Sequence, residues 1–234
     1  MTPRVGFRPE FLDFKRGIRV GNLAENERIT RILKLALESR YKQSFVTERW
    51  GRGVHWRWIA FLARANREAK PISSQVSFGC AKFFISLEPE EEVFKSGIQV
   101  ERGFLKAPRG SRDWQLQADW DWNRLLQALK PDGAMEKEIE RLLGEGFRLH
   151  AGSWGAESSL IDRASYPGAA KLSKRLRTAQ AGNWAGFQFY YPMSETEVRA
   201  APGPDLVDSM LAVFEELTPA LNLCMQIELP GPVP

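Results

Sequence analysis

Val54-His-Trp-Arg-Trp-Ile-Ala-Phe-Leu-Ala63 is the stretch on which the fold turns. In an extended chain, Val54, Trp56, Trp58 and Leu62 share one side, and Ile59 and Phe61 share the other with His55 and Arg57. Both sides become apolar towards Ala63, the signature of a strand that runs from the surface into an interior. Gly51-Arg-Gly53 supplies a turn ahead of it. Behind it, residues 64–74 are polar and contain Pro71, which reads as a loop or an edge. Phe78 to Leu87 then alternates, with Ala81, Phe83, Ile85 and Leu87 opposing Cys80, Lys82, Phe84 and Ser86. The acidic connector Glu88-Pro-Glu-Glu-Glu92 leads to a third strand over Gly97 to Leu105, with Ile98 and Val100 inward. Residues 54–107 therefore predict an aromatic-lined antiparallel sheet with a basic loop at one end.

Helices flank this sheet. Ile29, Ile32, Leu33, Ala36 and Leu37 lie at helical spacing and predict a helix over 23–41, with Asn22 or Asn26 available as its cap. Trp122, Leu125, Leu126 and Leu129 form a second stripe that starts near Asp121 and stops at Pro131-Asp-Gly133. Met135, Ile139, Leu142 and Leu143 mark a third helix over 134–144, followed by a strand from Phe147 to Trp154. A basic amphipathic helix over 169–179 carries Lys171, Lys174, Arg175 and Arg177, and an aromatic strand from Trp184 to Tyr191 closes at Pro192. Ser194-Glu-Thr-Glu197 starts a short helical turn, and Leu206, Met210, Leu211, Phe214 and Leu217 form a last helix ended by Thr218-Pro219.

Strands and helices come in runs rather than strict alternation, and no repeat or linker divides the 234 residues. The fold class expected is α+β: a single domain over 1–234, with a mainly antiparallel sheet packed against several helices. The chain is 43% hydrophobic and 26% charged, far from a disordered composition. No run approaches the ~20 apolar residues of a membrane span, and the first residues lack the apolar run of a secretory signal. A cytoplasmic protein with no membrane attachment is the expectation. Cys80 and Cys224 stand alone and read as buried thiols, and two scattered His and two scattered Cys leave no zinc pattern. Neither metal nor cofactor is expected. A net charge of +4 permits an anionic partner without demanding one.

The order of elements, with Arg64-x-x-Arg67-Glu68-x-Lys70 between helix and sheet, resembles an uncharacterised bacterial domain family. Its hallmark begins R-x-x-R-D-x-R-F and continues to an acid-or-Asn/Lys pair and a Tyr. Here Glu68 stands for the Asp, Lys70 for the second Arg and Pro71 for the Phe, while Gln75-Val76 and Gly79 replace the pair and the Tyr. Tyr190-Tyr-Pro-Met-Ser194-Glu-Thr-Glu197-Val198, followed by Leu206, Phe214, Leu217 and Pro219, is similar to that family's closing strand, acidic turn and helix. The resemblance implies a fold class and no activity.

Chemistry is sparser. Arg57, Arg64, Arg67 and Lys70 could offer forked and point-charge donors to phosphate or carboxylate. Trp56 and Trp58 could supply stacking surface, the combination used for single-stranded nucleic acid. The competing reading is a solvated loop whose arginines pair with Glu68 and the acidic turn 88–92. Lys171, Lys174, Arg175 and Arg177 would add a second cationic face. The first functional expectation is a binding or interaction domain with a basic, aromatic-flanked surface for an anionic partner, nucleic acid or an acidic protein. The alternative is a hydrolase using His55 or His150 with Glu101 or an aspartate, with or without a metal; Asp113, Asp119 and Asp121 are the other acids considered. A triad is disfavoured because Gly152-Ser153-Trp154 is not a nucleophile elbow. The aromatic strands also suggest a homodimer face.

Overall fold

A computed structural model describes residues 6–70, 79–102, 120–154, 157–179 and 185–231. After a 3-10 turn at Pro9–Phe11, nine strands build one antiparallel sheet: β1 (Leu12–Asp13), β2 (Gly17–Arg19), β3 (Phe45–Arg52), β4 (His55–Ala63), β5 (Lys82–Glu88), β6 (Val93–Arg102), β7 (Arg148–Ser153), β8 (Glu157–Ile161) and β9 (Ala185–Ser194). Among the described residues seven α-helices accompany them: α1 (Ile29–Tyr41), α2 (Arg64–Glu68), α3 (Asp121–Ala128), α4 (Ala134–Gly144), α5 (Ala169–Arg177), α6 (Glu195–Ala200) and α7 (Gly203–Cys224). The α+β class and its antiparallel sheet are thus as the sequence predicts.

The spatial order is β3-β4-β5-β6-β9-β7-β8, and the β1-β2 hairpin joins β4 beyond the end of β5. β4 pairs with β3 along its length, and shares its other edge between β2 (at His55 and Trp56) and β5 (at Trp58 to Phe61). Phe61, Phe83, Ile98, Phe189, Leu149 and Ile161 lie in register across six strands, and all are buried in the helix-side core. Phe187 joins the same layer, and Trp56 packs partly buried against it. Helix α7 lies against β6, α1, α3 and α4, so its apolar stripe is the spine of that layer. Phe214 stacks on Phe83 with ring centroids 4.8 Å apart, and Tyr41 lies 6.0 Å from Phe83 on the other side.

Several boundaries differ from the sequence expectation, and β6 starts at Val93 rather than Gly97. Helix α7 continues through Pro219 to Cys224. Interior proline costs about 3 kcal/mol, but Ala220, Leu221 and Cys224 are all buried beyond that point, and burying one large apolar side chain contributes about 1.5–3 kcal/mol. Thr218 reinforces the kink-prone turn by donating to the Phe214 carbonyl (2.8 Å) and sharing a 2.6 Å hydrogen bond with the Tyr41 hydroxyl. Strand β9 likewise runs past Pro192 to Ser194. There β7 has already ended opposite Tyr190, so Pro192 needs only β6 as a neighbour. Helix α1 begins at Ile29 behind Arg28, without a side-chain cap.

Candidate functional site

The basic run at 64–70 forms the short helix α2, and its charges separate in space. Lys70 is not a surface cation: its side chain is fully buried, with Nζ 2.9 Å from Asp121 Oδ1. It also donates to the backbone and side-chain oxygens of Asn66 (2.9 and 3.0 Å). Asp121, the first residue of α3, takes further donors from Asn66 Nδ2 (2.7 Å), the Ala81 amide (2.6 Å) and the Gln226 amide (3.0 Å). Ile227 donates its amide to Asn66 Oδ1 (3.0 Å). One carboxylate thereby ties α2, the entry to β5, α3 and the chain after α7. Its position at the start of α3 adds favourable helix-dipole charge. With the lysine and three hydrogen-bond donors on Asp121 in place, the cluster is a structural knot rather than a ligand site.

Arg64 stays on the surface, 3.7 Å from Glu68 one turn on. Arg57 reaches Glu90 of the acidic turn at 3.0 Å. Arg67 is half-buried. The solvated-loop reading therefore describes most of this run. Trp56 and Trp58 do not form one platform. The register shifts between Trp50–Trp58 and Gly51–Trp56, which leaves Arg57 as the extra residue of a bulge. Trp56 turns to the helix-side core, and Trp58 to the small cluster of Ala60, Leu62, Phe84 and Tyr190 on the other face.

An exposed tryptophan with arginines around it stands on β3. Trp50, opposite Trp58 on β3, is 60% exposed. Arg57 sits 5.8 Å from the Trp50 ring on one side of the β3–β4 hairpin, and Arg49 stacks 3.9 Å over Trp56 on the other. Arg49 and Arg52 are exposed and make no ion pair among the described residues. The hairpin is a blade with an arginine–tryptophan pair on each side. Gly51-Arg-Gly53 was legible as a turn, but β3 itself was not: only its start, at Phe45, is buried.

A second constellation occupies the sheet face away from the helices. Lys82, Gln99, Gln188 and His150 lie in register on β5, β6, β9 and β7. Trp58 donates Nε1–H to Gln99 Oε1 (2.8 Å), and Gln188 Nε2 donates to the same oxygen (3.0 Å). His150 packs against Trp154, with ring centroids 4.5 Å apart. One ring reclines on a glycine here: a Cβ at Gly186 would lie 2.1 Å from the Trp154 indole. Lys82 is buried against Glu101 (3.0 Å) and 5.4 Å from the Trp58 ring. Lys95 pairs with Glu91 and lies 4.9 Å from the Tyr190 ring. Burial, with Lys95 nearby, holds the His150 pKa below the usual 6.5, so the ring is neutral at pH 7. Burial raises the Tyr190 phenol to about 12.

These placements bear on hydrolysis. His55 stands opposite Arg19 and Arg52, on a basic part of the sheet. His150 makes no ion pair among the described residues, and Glu101 pairs with Lys82. Asp121 is committed to its knot, and Asp113 and Asp119 lie outside the described residues. Among the described residues no three His, Cys, Asp or Glu gather as a metal site. Cys80 is buried, with its thiol raised to about 11, and Cys224 is raised further by complete burial, so neither is a ready nucleophile. Of the basic helix α5, Lys171, Lys174 and Arg175 are exposed, while Arg177 donates to the Leu126 carbonyl (2.8 Å). No helix among the described residues is long and apolar enough to cross a membrane. No family model matches the sequence, and no curated protein matches it.

Proposed function

We propose that this protein is a non-enzymatic binding domain for an anionic partner, and that single-stranded nucleic acid meets it at the β3–β4 hairpin. The observation that carries the reading is Trp50, a large ring left 60% exposed between arginines at the end of a sheet. Solvent exposure of so much aromatic surface has no folding benefit, whereas a base stacked on such a ring contributes about 1–3 kcal/mol. Arg49 and Arg52 have no carboxylate to satisfy them among the described residues, and their guanidinium groups suit phosphate oxygens. Arg57 can join them by giving up Glu90, an exchange that costs little at an exposed pair. The hydrolase alternative has less support, because among the described residues neither histidine forms an ion pair with a carboxylate that could orient it.

The test is fluorescence anisotropy with a labelled single-stranded oligonucleotide across a salt series. With about three phosphates contacted, log K should fall against log salt with a slope near −2. The double variant R49E/R52E should lose that binding while its melting temperature falls by no more than about 4 °C, since only the stacking of Arg49 on Trp56 is given up. Absence of binding at low salt, or binding indifferent to salt and to these changes, overturns the reading. Capture of poly-glutamate in preference to the oligonucleotide would assign the surface to an acidic protein instead.

A further inference from the structure

We infer that β8 is a dimerisation edge: it pairs antiparallel with β8 of a second copy about a two-fold axis, so that two sheets run on as one. This surface lies at the opposite edge of the sheet from the β3–β4 hairpin and does not depend on what the hairpin binds.

An edge strand presents a row of unpaired backbone N–H and C=O groups, and natural sheets guard such edges with charge, proline or a bulge. The two outer strands of this sheet differ in that respect. β3 carries Glu48, Arg49 and Arg52 and is broken by the bulge between Trp50 and Gly51. β8 reads Glu157-Ser-Ser-Leu-Ile161, with one charge at its start, no proline and an unbroken register with β7. Among the described residues β7 is its one strand neighbour. Leu160, at 63%, is the most exposed large apolar side chain of the described residues. It stands opposite His150 on the sheet face away from the helices, and so carries the half-exposed His150–Trp154 pair out to the rim.

Symmetry and charge identify the occupant as a second copy. When one sheet continues into another about a two-fold axis, helix-side residues must oppose helix-side residues, which centres the register on a residue rather than between two. β8 ends at Ile161, because Asp162 then turns the chain by accepting from the Ser165 amide and hydroxyl (2.9 and 2.6 Å). Only the register centred on Ser159 pairs all five residues: Glu157 opposes Ile161, Ser158 opposes Leu160, and Ser159 meets its own copy. The two Leu160 side chains then lie diagonally across the axis on one face, about 7–8 Å apart at the backbone and within reach of each other. Glu157 of each copy comes alongside Arg163 of the other, two residues past Ile161. Both are exposed, and neither forms an ion pair among the described residues. A parallel pairing would align like charge with like. A five-residue strand pair is at the small end of protein interfaces, so the dimer is weak, with Kd on the order of tens of micromolar.

Sedimentation of the full chain from about 5 to about 500 µM tests this. The expected result is a monomer–dimer equilibrium, with amide exchange at Glu157–Ile161 slowing as concentration rises. L160K should weaken association at least about tenfold. E157R and R163E should each weaken it about threefold to tenfold, since each sets like charges together at both ends of the strand pair, and E157R/R163E should restore it. R49E/R52E should associate as the parent does, which separates this edge from the hairpin. A chain still monomeric at the highest concentration, species larger than a dimer, a dimer indifferent to L160K, or single charge reversals that the double variant fails to rescue would each overturn the inference. So would β8 amide exchange in the parent chain that ignores concentration, a result that requires no variant to fold.

Discussion

Replacing Lys70 by methionine separates a structural lysine from an anion-binding one. The substitution keeps the length of the side chain and removes its charge, leaving the Asp121 carboxylate at zero exposure with Asn66 Nδ2 and the amides of Ala81 and Gln226. At 2.9 Å the gross attraction lost is about 6 kcal/mol for an effective dielectric of 20. Three remaining donors soften the loss, and breaking one side of a buried pair typically costs about 3–5 kcal/mol. For a chain of this length that corresponds to a fall in melting temperature of roughly 6–20 °C. Urea denaturation followed by circular dichroism measures the free energy, and thermal melts check it. The double variant K70M/D121N removes both charges, and should recover at least about 1 kcal/mol relative to the sum of the single changes. A K70M protein that loses under 1 kcal/mol, or two single changes that simply add, would refute the knot. A lysine held at the surface for phosphate would instead leave the melt unmoved and weaken oligonucleotide binding.

Three further outcomes follow from the same contacts. Phe214→Ala removes the ring stacked 4.8 Å from Phe83 and should cost about 3–5 kcal/mol in chemical denaturation; a loss below 1.5 would mean that the α7–sheet layer is not the principal core. Ser194 caps α6 in a full capping box with Glu197, so S194A should cost about 0.5–2 kcal/mol, and an unchanged unfolding midpoint would count against that geometry. His150 has a folded pKa below 6.5 through burial and Lys95, with Glu91 and Gln188 acting in the opposite direction. In the window below 6.5 the unfolded chain binds a proton that the native one does not, so stability should fall as pH drops through that window. H150Q should flatten this limb of the stability–pH curve, and parallel curves for the two proteins would sink the assignment.

Periodicity alone determined much of this protein. Alternation over 54–63 and 78–87, and helical stripes at 29–37, 122–129, 135–143 and 206–217, specify which residues face a core, and each has its strand or helix among the described residues, the second strand only from Lys82. That information is local: it names the face on which Phe83 or Ile98 lies, and both faces follow from spacing within one strand. It does not name the neighbour. Strand β3 escaped notice because most of it is polar and exposed, and pairing with β4 is what holds it extended. Trp50, the most exposed tryptophan in the described chain, lies on it for that reason. Lys70 looked like its neighbours Arg64 and Arg67 because burial depends on α3 and the chain after α7 arriving over it. The row Trp58, Gln99, Gln188 and His150 draws on four strands far apart in sequence, and no single-strand pattern signals it. Pro219 and Pro192 marked ends that packing overrode, since apolar burial across a whole layer exceeds one lost hydrogen bond. Local chemistry fixed the elements and their faces; long-range pairing decided which charges were sealed, which ring was left in solvent and which side chains could act together.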